Sequence, residues 1–134
     1  MLWKRIYHLM NLFLEIRMGL SDQAKKDILS LVFRIIRRIS DKEYQLRVWI
    51  RGQGPECDDF DETCCLFFGE GDSVIKKHKE FGINEFQFIL LKSFRDEFKR
   101  FSDENDFPNE FIDTPEWNRI TEMAKEVLKA FDTV

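Results

Sequence analysis

Tyr44-Gln45-Leu46-Arg47-Val48-Trp49-Ile50-Arg51 is the stretch on which the fold class turns. Large apolar side chains alternate there with mainly polar ones, the two-residue period of a half-buried strand. Downstream, Cys64-Cys65-Leu66-Phe67-Phe68 is a short apolar run of the kind buried on both faces of a sheet. Residues 85–91 repeat the alternation, with Phe86, Phe88 and Leu90 on one face. Residues 73–81 fit a short strand or a helix equally well. Three strands in a chain of 134 residues predict a small, mainly antiparallel sheet inside one domain.

The flanks read as helices. In residues 2–17, Leu2, Ile6, Leu9, Phe13 and Ile16 recur at helical spacing, and Gly19 suits the turn after them. Ser21 then caps a second helix running to about Ile39, with Ile28, Leu31, Val32, Ile35 and Ile39 as its buried stripe. The short turn makes these two a helical hairpin. Ser93 and Asp96 read as a capping box for a helix with Phe94, Phe98 and Phe101 inward. Residues 103–113 read as a polar loop. Thr114-Pro115-Glu116 marks the start of a last helix burying Trp117, Ile120, Met123, Ala124, Val127, Leu128 and Phe131. The expected class is therefore α+β, with an N-terminal helical hairpin, a small sheet and C-terminal helices in a single domain over 1–134.

Composition narrows function. The chain has 14 Phe but only 3 Pro and 6 Gly, a large aromatic core with few turns. Residues 1–51 carry 11 Lys/Arg against 5 Asp/Glu, whereas residues 52–134 carry 10 against 20. So acidic a second part disfavours general nucleic-acid binding and favours a basic partner. No uninterrupted apolar run is long enough to span a membrane, and no small-residue cleavage site follows the first apolar segment. Cys57, Cys64 and Cys65 are an odd set with an adjacent pair, which fits reduced thiols and a cytoplasmic address. Their spacing matches no zinc motif. His8 and His78 read as structural, and no phosphate loop, zincin helix or calcium loop is present. The chain is expected to use no catalytic residue, metal or cofactor.

What stands out is acidic clustering. Residues 53–72 hold Glu56, Asp58, Asp59, Asp61, Glu62, Glu70 and Asp72 with no Lys or Arg among them. Residues 103–118 add Asp103, Glu104, Asp106, Glu110, Asp113 and Glu116. Like charges held together cost stability, so they invite a functional reason. Solvated loops are the plain explanation. A docking surface for a cationic protein is the sharper one, with Phe60, Phe107 and Phe111 as anchors. The seven carboxylates of the first cluster are the expected partner-binding residues.

The layout from Leu46 to Ser102 resembles the small immunity proteins of bacterial contact-dependent growth inhibition systems, especially those that neutralise ribonuclease toxins. The resemblance is carried by the strand, the acidic loop with its cysteines, Phe81-Gly82-Ile83, the strand Phe86-Gln87-Phe88-Ile89-Leu90, and the helix Phe94-Arg95-Asp96-Glu97-Phe98. It implies a non-enzymatic protein that binds and neutralises a cognate toxin domain, a nuclease whose phosphate-binding cleft an acidic surface can occupy. Two alternatives remain. One is a regulatory interaction module using the basic helices around Arg34, Arg37 and Arg38, and the other a small metal-dependent hydrolase using the acidic loop. The apolar stripe of the first helix also suits a homodimer.

Overall fold

The structure, a computed structural model, describes Arg5, Ile6, Leu9 and residues 20–132. Helices α1 (Asp22–Ser40), α2 (Lys42–Tyr44), α3 (Phe60–Leu66), α4 (Asp72–Lys76), α5 (Glu85–Glu104), α6 (Pro108–Phe111) and α7 (Pro115–Ala130) follow in order. Two π-helical segments, Gln45–Ile50 and Phe67–Gly71, continue α2 and α3. The described residues contain no strand, so the expected α+β class and its antiparallel sheet are replaced by an all-helical fold. The expected first helix falls outside the described residues except for Arg5, Ile6 and Leu9, which are helical. Gly19 and its turn also lie outside.

α1 forms for the reasons its sequence gives. The Ser21 hydroxyl accepts from Ala24 N–H at 3.1 Å, Asp22 sits in the first turn, and Arg37 and Arg38 occupy the last. Val32, Ile35, Ile36 and Ile39 are wholly buried, each contributing about 1.5–3 kcal/mol of apolar transfer. Thr114 caps α7 and Pro115 opens it, and Trp117, Ile120, Ala124, Val127 and Leu128 face inward. α7 packs against both α1 and α5. Gln87 donates to the Ala130 carbonyl at 3.1 Å while the Phe101 and Trp117 rings lie 5.2 Å apart, so α5 and α7 run antiparallel.

Each misread strand has its own physical cause. In residues 44–51 the polar Gln45 is fully buried and the apolar Ile50 is exposed, the reverse of what alternation requires. Gln45 Nε2 donates to the carbonyls of Arg38 and Ile39, both at 2.9 Å, and its Oε1 accepts from Trp117 Nε1 at 2.9 Å. A side-chain amide thus satisfies the orphan carbonyls at the end of α1 and fastens them to α7. Cys64–Phe68 belongs to a continuous helical stretch in which Phe60, Thr63, Phe67, Gly71 and Val74 form a buried line spaced by three or four, with Glu62 buried beside it. Residues 85–91 are the first two turns of α5. Leu91, Phe94 and Phe98 are its buried line, Phe101 is half-buried, and Phe86 and Ile89 face solvent. The capping box is Asn84 with Gln87, each side chain bonded to the other's backbone N–H at 2.8 and 3.0 Å. Ser93 and Asp96 lie inside the helix instead. The supposed loop over 103–113 contains the end of α5 and all of α6.

The core is aromatic. The rings of Phe60, Phe67, Phe94, Phe98, Phe111 and Trp117 interlock, mostly edge-to-face or tilted, at centroid distances of 4.8 to 6.3 Å. Trp49, on the first π-helical segment, touches this cluster through Phe60 and Trp117. No described helix is long and apolar enough to cross a membrane.

Candidate protein-docking face

The first acidic segment is held from outside itself. Arg47 grips Glu56 with both terminal nitrogens, at 2.9 and 2.6 Å, and also donates to the Gln53 carbonyl at 3.3 Å. That bidentate pair pulls the Glu56 carboxyl down to about 2, the hydrogen bonds from Arg47 being the largest cause. Gly54 lies directly beneath the guanidinium, with φ of +99°. Asp58 is buried more deeply, its side chain only 4% exposed. It accepts from Tyr44 Oη at 2.7 Å, Trp49 Nε1 at 2.9 Å and Thr63 Oγ1 at 3.0 Å, with Arg38 at 3.7 Å. Burial, then the Asp58 hydrogen bond, pushes the Tyr44 phenol above its ordinary value.

The other expected contact residues are similarly occupied. Asp59 caps α3 by accepting from Glu62 N–H at 2.7 Å. Glu62 is itself buried, and Glu70 is half-buried. Asp72 pairs with Arg95 through two bonds of 2.8 and 3.1 Å. Of the seven, only Asp59 and Asp61 belong to the exposed class. The structure therefore gathers the seven expected residues into no single open face. What the sequence did not reveal is that Arg38, Tyr44, Arg47, Trp49, Thr63 and Arg95 are the partners of these acids. The lack of a base within residues 53–72 concealed them, because the cations arrive from neighbouring elements.

The second acidic segment has the opposite character. Asp103, Glu104, Asp106, Glu110, Asp113 and Glu116 are all exposed. Asp103 pairs with Lys99 one turn back at 2.8 Å, and Asp113 meets Lys42. Both are surface pairs, worth little. Asp103 and Glu104 stand in the last turn of α5, which has no basic residue, where the helix carbonyls already concentrate negative charge. Among these acids Phe107 is 59% exposed, whereas the other two expected anchors, Phe60 and Phe111, are core residues. Phe111 packs on Phe60 at 4.8 Å and on Phe101 at 5.0 Å. Through Phe60 that junction ties the start of α3 to the end of α6.

The remaining candidates are weaker. Burial, followed by the charge of Asp61, pushes the Cys64 thiol well above its ordinary value, which disfavours the thiolate. Cys57 and Cys65 are exposed free thiols. His78 stacks on Phe88 at 3.9 Å, with Nδ1 3.2 Å from the Ile75 carbonyl, and thus closes the turn after α4. Among the described residues no group of three or more His, Cys, Asp or Glu side chains is placed to hold a metal ion. A groove of about 620 Å³ runs between α1 and α7, but Lys42, Glu43, Glu122 and Lys125 alternate around it, so no one charge prevails. Arg38 is drawn into the Asp58 network, which leaves Arg34 and Arg37 as the exposed bases at that end of α1. Compared with family models, curated proteins and solved structures, the chain matches none.

Proposed function

We propose that this chain acts by binding another protein, and that the face around Phe107 seats a cationic surface of its partner. One observation carries the reading: an exposed aromatic ring set among Asp103, Glu104, Asp106 and Glu110, two of them placed where the α5 dipole opposes them. Carboxylates kept outward against a helix C-terminus lower stability, and a basic partner would reverse that cost on binding. Phe107 supplies the apolar anchor that charge alone lacks.

The partner implied by the sequence resemblance is a toxin domain of nuclease type, neutralised in the cytoplasm. Such an enzyme presents a phosphate-binding cleft, and a rigid acidic face suits it without chemistry from this chain. Two of the strands that carried the resemblance are helical, so the acidic face now supports this reading better than the element pattern does.

Pull-down with tagged protein tests it. The unaltered chain should recover a basic partner that salt releases. The combined D103K, D106K and E110K variant should weaken that association at least about tenfold, as should F107A. Undiminished binding by both variants, or recovery that is lost only with R34E and R37E, would move the interface to α1.

A further inference from the structure

On α5 two large apolar side chains stand in water side by side. Phe86 is 64% and Ile89 53% exposed, one turn apart and therefore on one side of the helix. Beside them a shallow groove of about 250 Å³ runs between α5 and α7, lined by half-buried Leu90 and Met123 with Ser93, Arg119, Glu122 and Glu126. Phe86 does not line the groove of its own chain. A protruding ring and a hollow thus share one surface. The hollow is large enough for the ring, since a cavity of about 150 Å³ already holds benzene.

Charge around the rim decides what kind of surface fits. Glu122 pairs with Lys125 at 3.0 Å, Glu126 with Lys129 at 3.9 Å and Lys92 with Asp96 at 2.9 Å, while Arg119 reaches Glu97 at 3.8 Å. Both signs are present and answered within the chain, so neither a cationic nor an anionic partner is favoured. A surface that carries both signs around an apolar centre suits a second copy of itself, and helix geometry supplies the register. When two α5 helices cross antiparallel with Ile89 facing its counterpart, positions equidistant from 89 on opposite sides meet. Phe86 of one copy then falls between Leu90 and Ser93 of the other, at the mouth of the groove. Glu85 and Lys92 are one seven-residue repeat apart on the same edge of α5, so each Glu85 comes beside the other copy's Lys92.

We propose that two copies of the chain form a weak two-fold dimer through this face, the Phe86 ring of each seated in the groove between α5 and α7 of the other. The arrangement is closed, since each copy gives one ring and receives one. About ten residues a side take part, against the 20–30 of a standard interface, so a dissociation constant on the order of 10–100 µM is expected. α5 is 20 residues long, about 30 Å, so this interface at its first turns leaves the acidic face at its other end open.

Sedimentation equilibrium on the full chain, from about 5 to about 500 µM, tests the pairing. I89D sets two carboxylates against each other at the two-fold axis, and F86A removes the ring. Each should raise the dimer dissociation constant at least about tenfold with unchanged circular dichroism, because both positions are exposed and their replacement spares the core. E85K and K92E test the register. Either alone sets like charges together and should weaken the dimer, whereas a mixture of the two should form a heterodimer tighter than either homodimer. A chain monomeric at about 500 µM would overturn the proposal and leave the face to a different protein. A dimer indifferent to I89D and F86A would also overturn it, as would a mixture of the charge variants that associates no better than each alone.

Discussion

The acidic stretches at residues 56–62 and 103–116 have similar composition and opposite fates. In the first, Asp58 lies within reach of Arg38, Tyr44, Trp49 and Thr63, Glu56 is clamped by Arg47, and Asp59 caps a helix. In the second, six carboxylates face water around an exposed Phe107. A run of acids is therefore a structural element where donors converge on it, and a surface where they do not. Density of charge in sequence does not separate the two cases.

The sharpest way to break this contrast is D58A. It leaves the Tyr44 hydroxyl, the Trp49 indole N–H and the Thr63 hydroxyl without their acceptor in a site that water hardly reaches, at a cost of about 3 kcal/mol. Urea unfolding should show a lower midpoint with little change in slope. A loss under about 1 kcal/mol would mean that the network merely decorates the loop.

G54A comes next. Its Cβ would collide with the Arg47 guanidinium, so the Glu56 clamp must open, and φ of +99° penalises any side chain there. A drop of about 1–2 kcal/mol is expected. G52A sharpens the reading, because Gly52 also has positive φ but meets nothing within 4 Å. It should lose less, the difference combining the clamp with the harsher φ at Gly54.

The pH effect is smaller. Because the folded-state Glu56 carboxyl is held at about 2, below its ordinary 4.5, its stabilisation is fully present above 4.5 and fades as pH falls towards 2. Chemical denaturation between pH 6 and pH 2 should show that E56Q lacks this increment of acid sensitivity. Equal pH slopes for both proteins in that window would show that Arg47 does not hold the charge. Smallest of all is the effect of D106K and E110K on stability, expected within about 0.5 kcal/mol, since both positions are exposed. A large loss there would erase the distinction between the two stretches.

Much of the fold was legible. The Ser21 and Thr114 caps and the apolar stripes of α1 and α7 are local signals, and the helices begin where the caps say. The three supposed strands were not legible, for separate reasons. Gln45 looks like a solvent-facing position until the ends of α1 and α7 offer it three partners. Phe86 begins an alternation with Phe88 and Leu90 only because its ring remains uncovered on α5. The Asn84–Gln87 box and the Phe60, Thr63, Phe67, Val74 spacing were visible signals that the alternation outweighed.

The candidate site divides in the same way. Residue types and their clustering mark both acidic stretches and the aromatic at position 107, because charge sign and side-chain size are properties of the chain itself. Which carboxylates stay available is decided by elements distant in sequence, when Arg38, Arg47 and Arg95 reach Asp58, Glu56 and Asp72. Local caps and stripes act within a turn or two, so the sequence alone determines them. Burial and ion pairing need a partner brought close by packing, and only the tertiary structure supplies it.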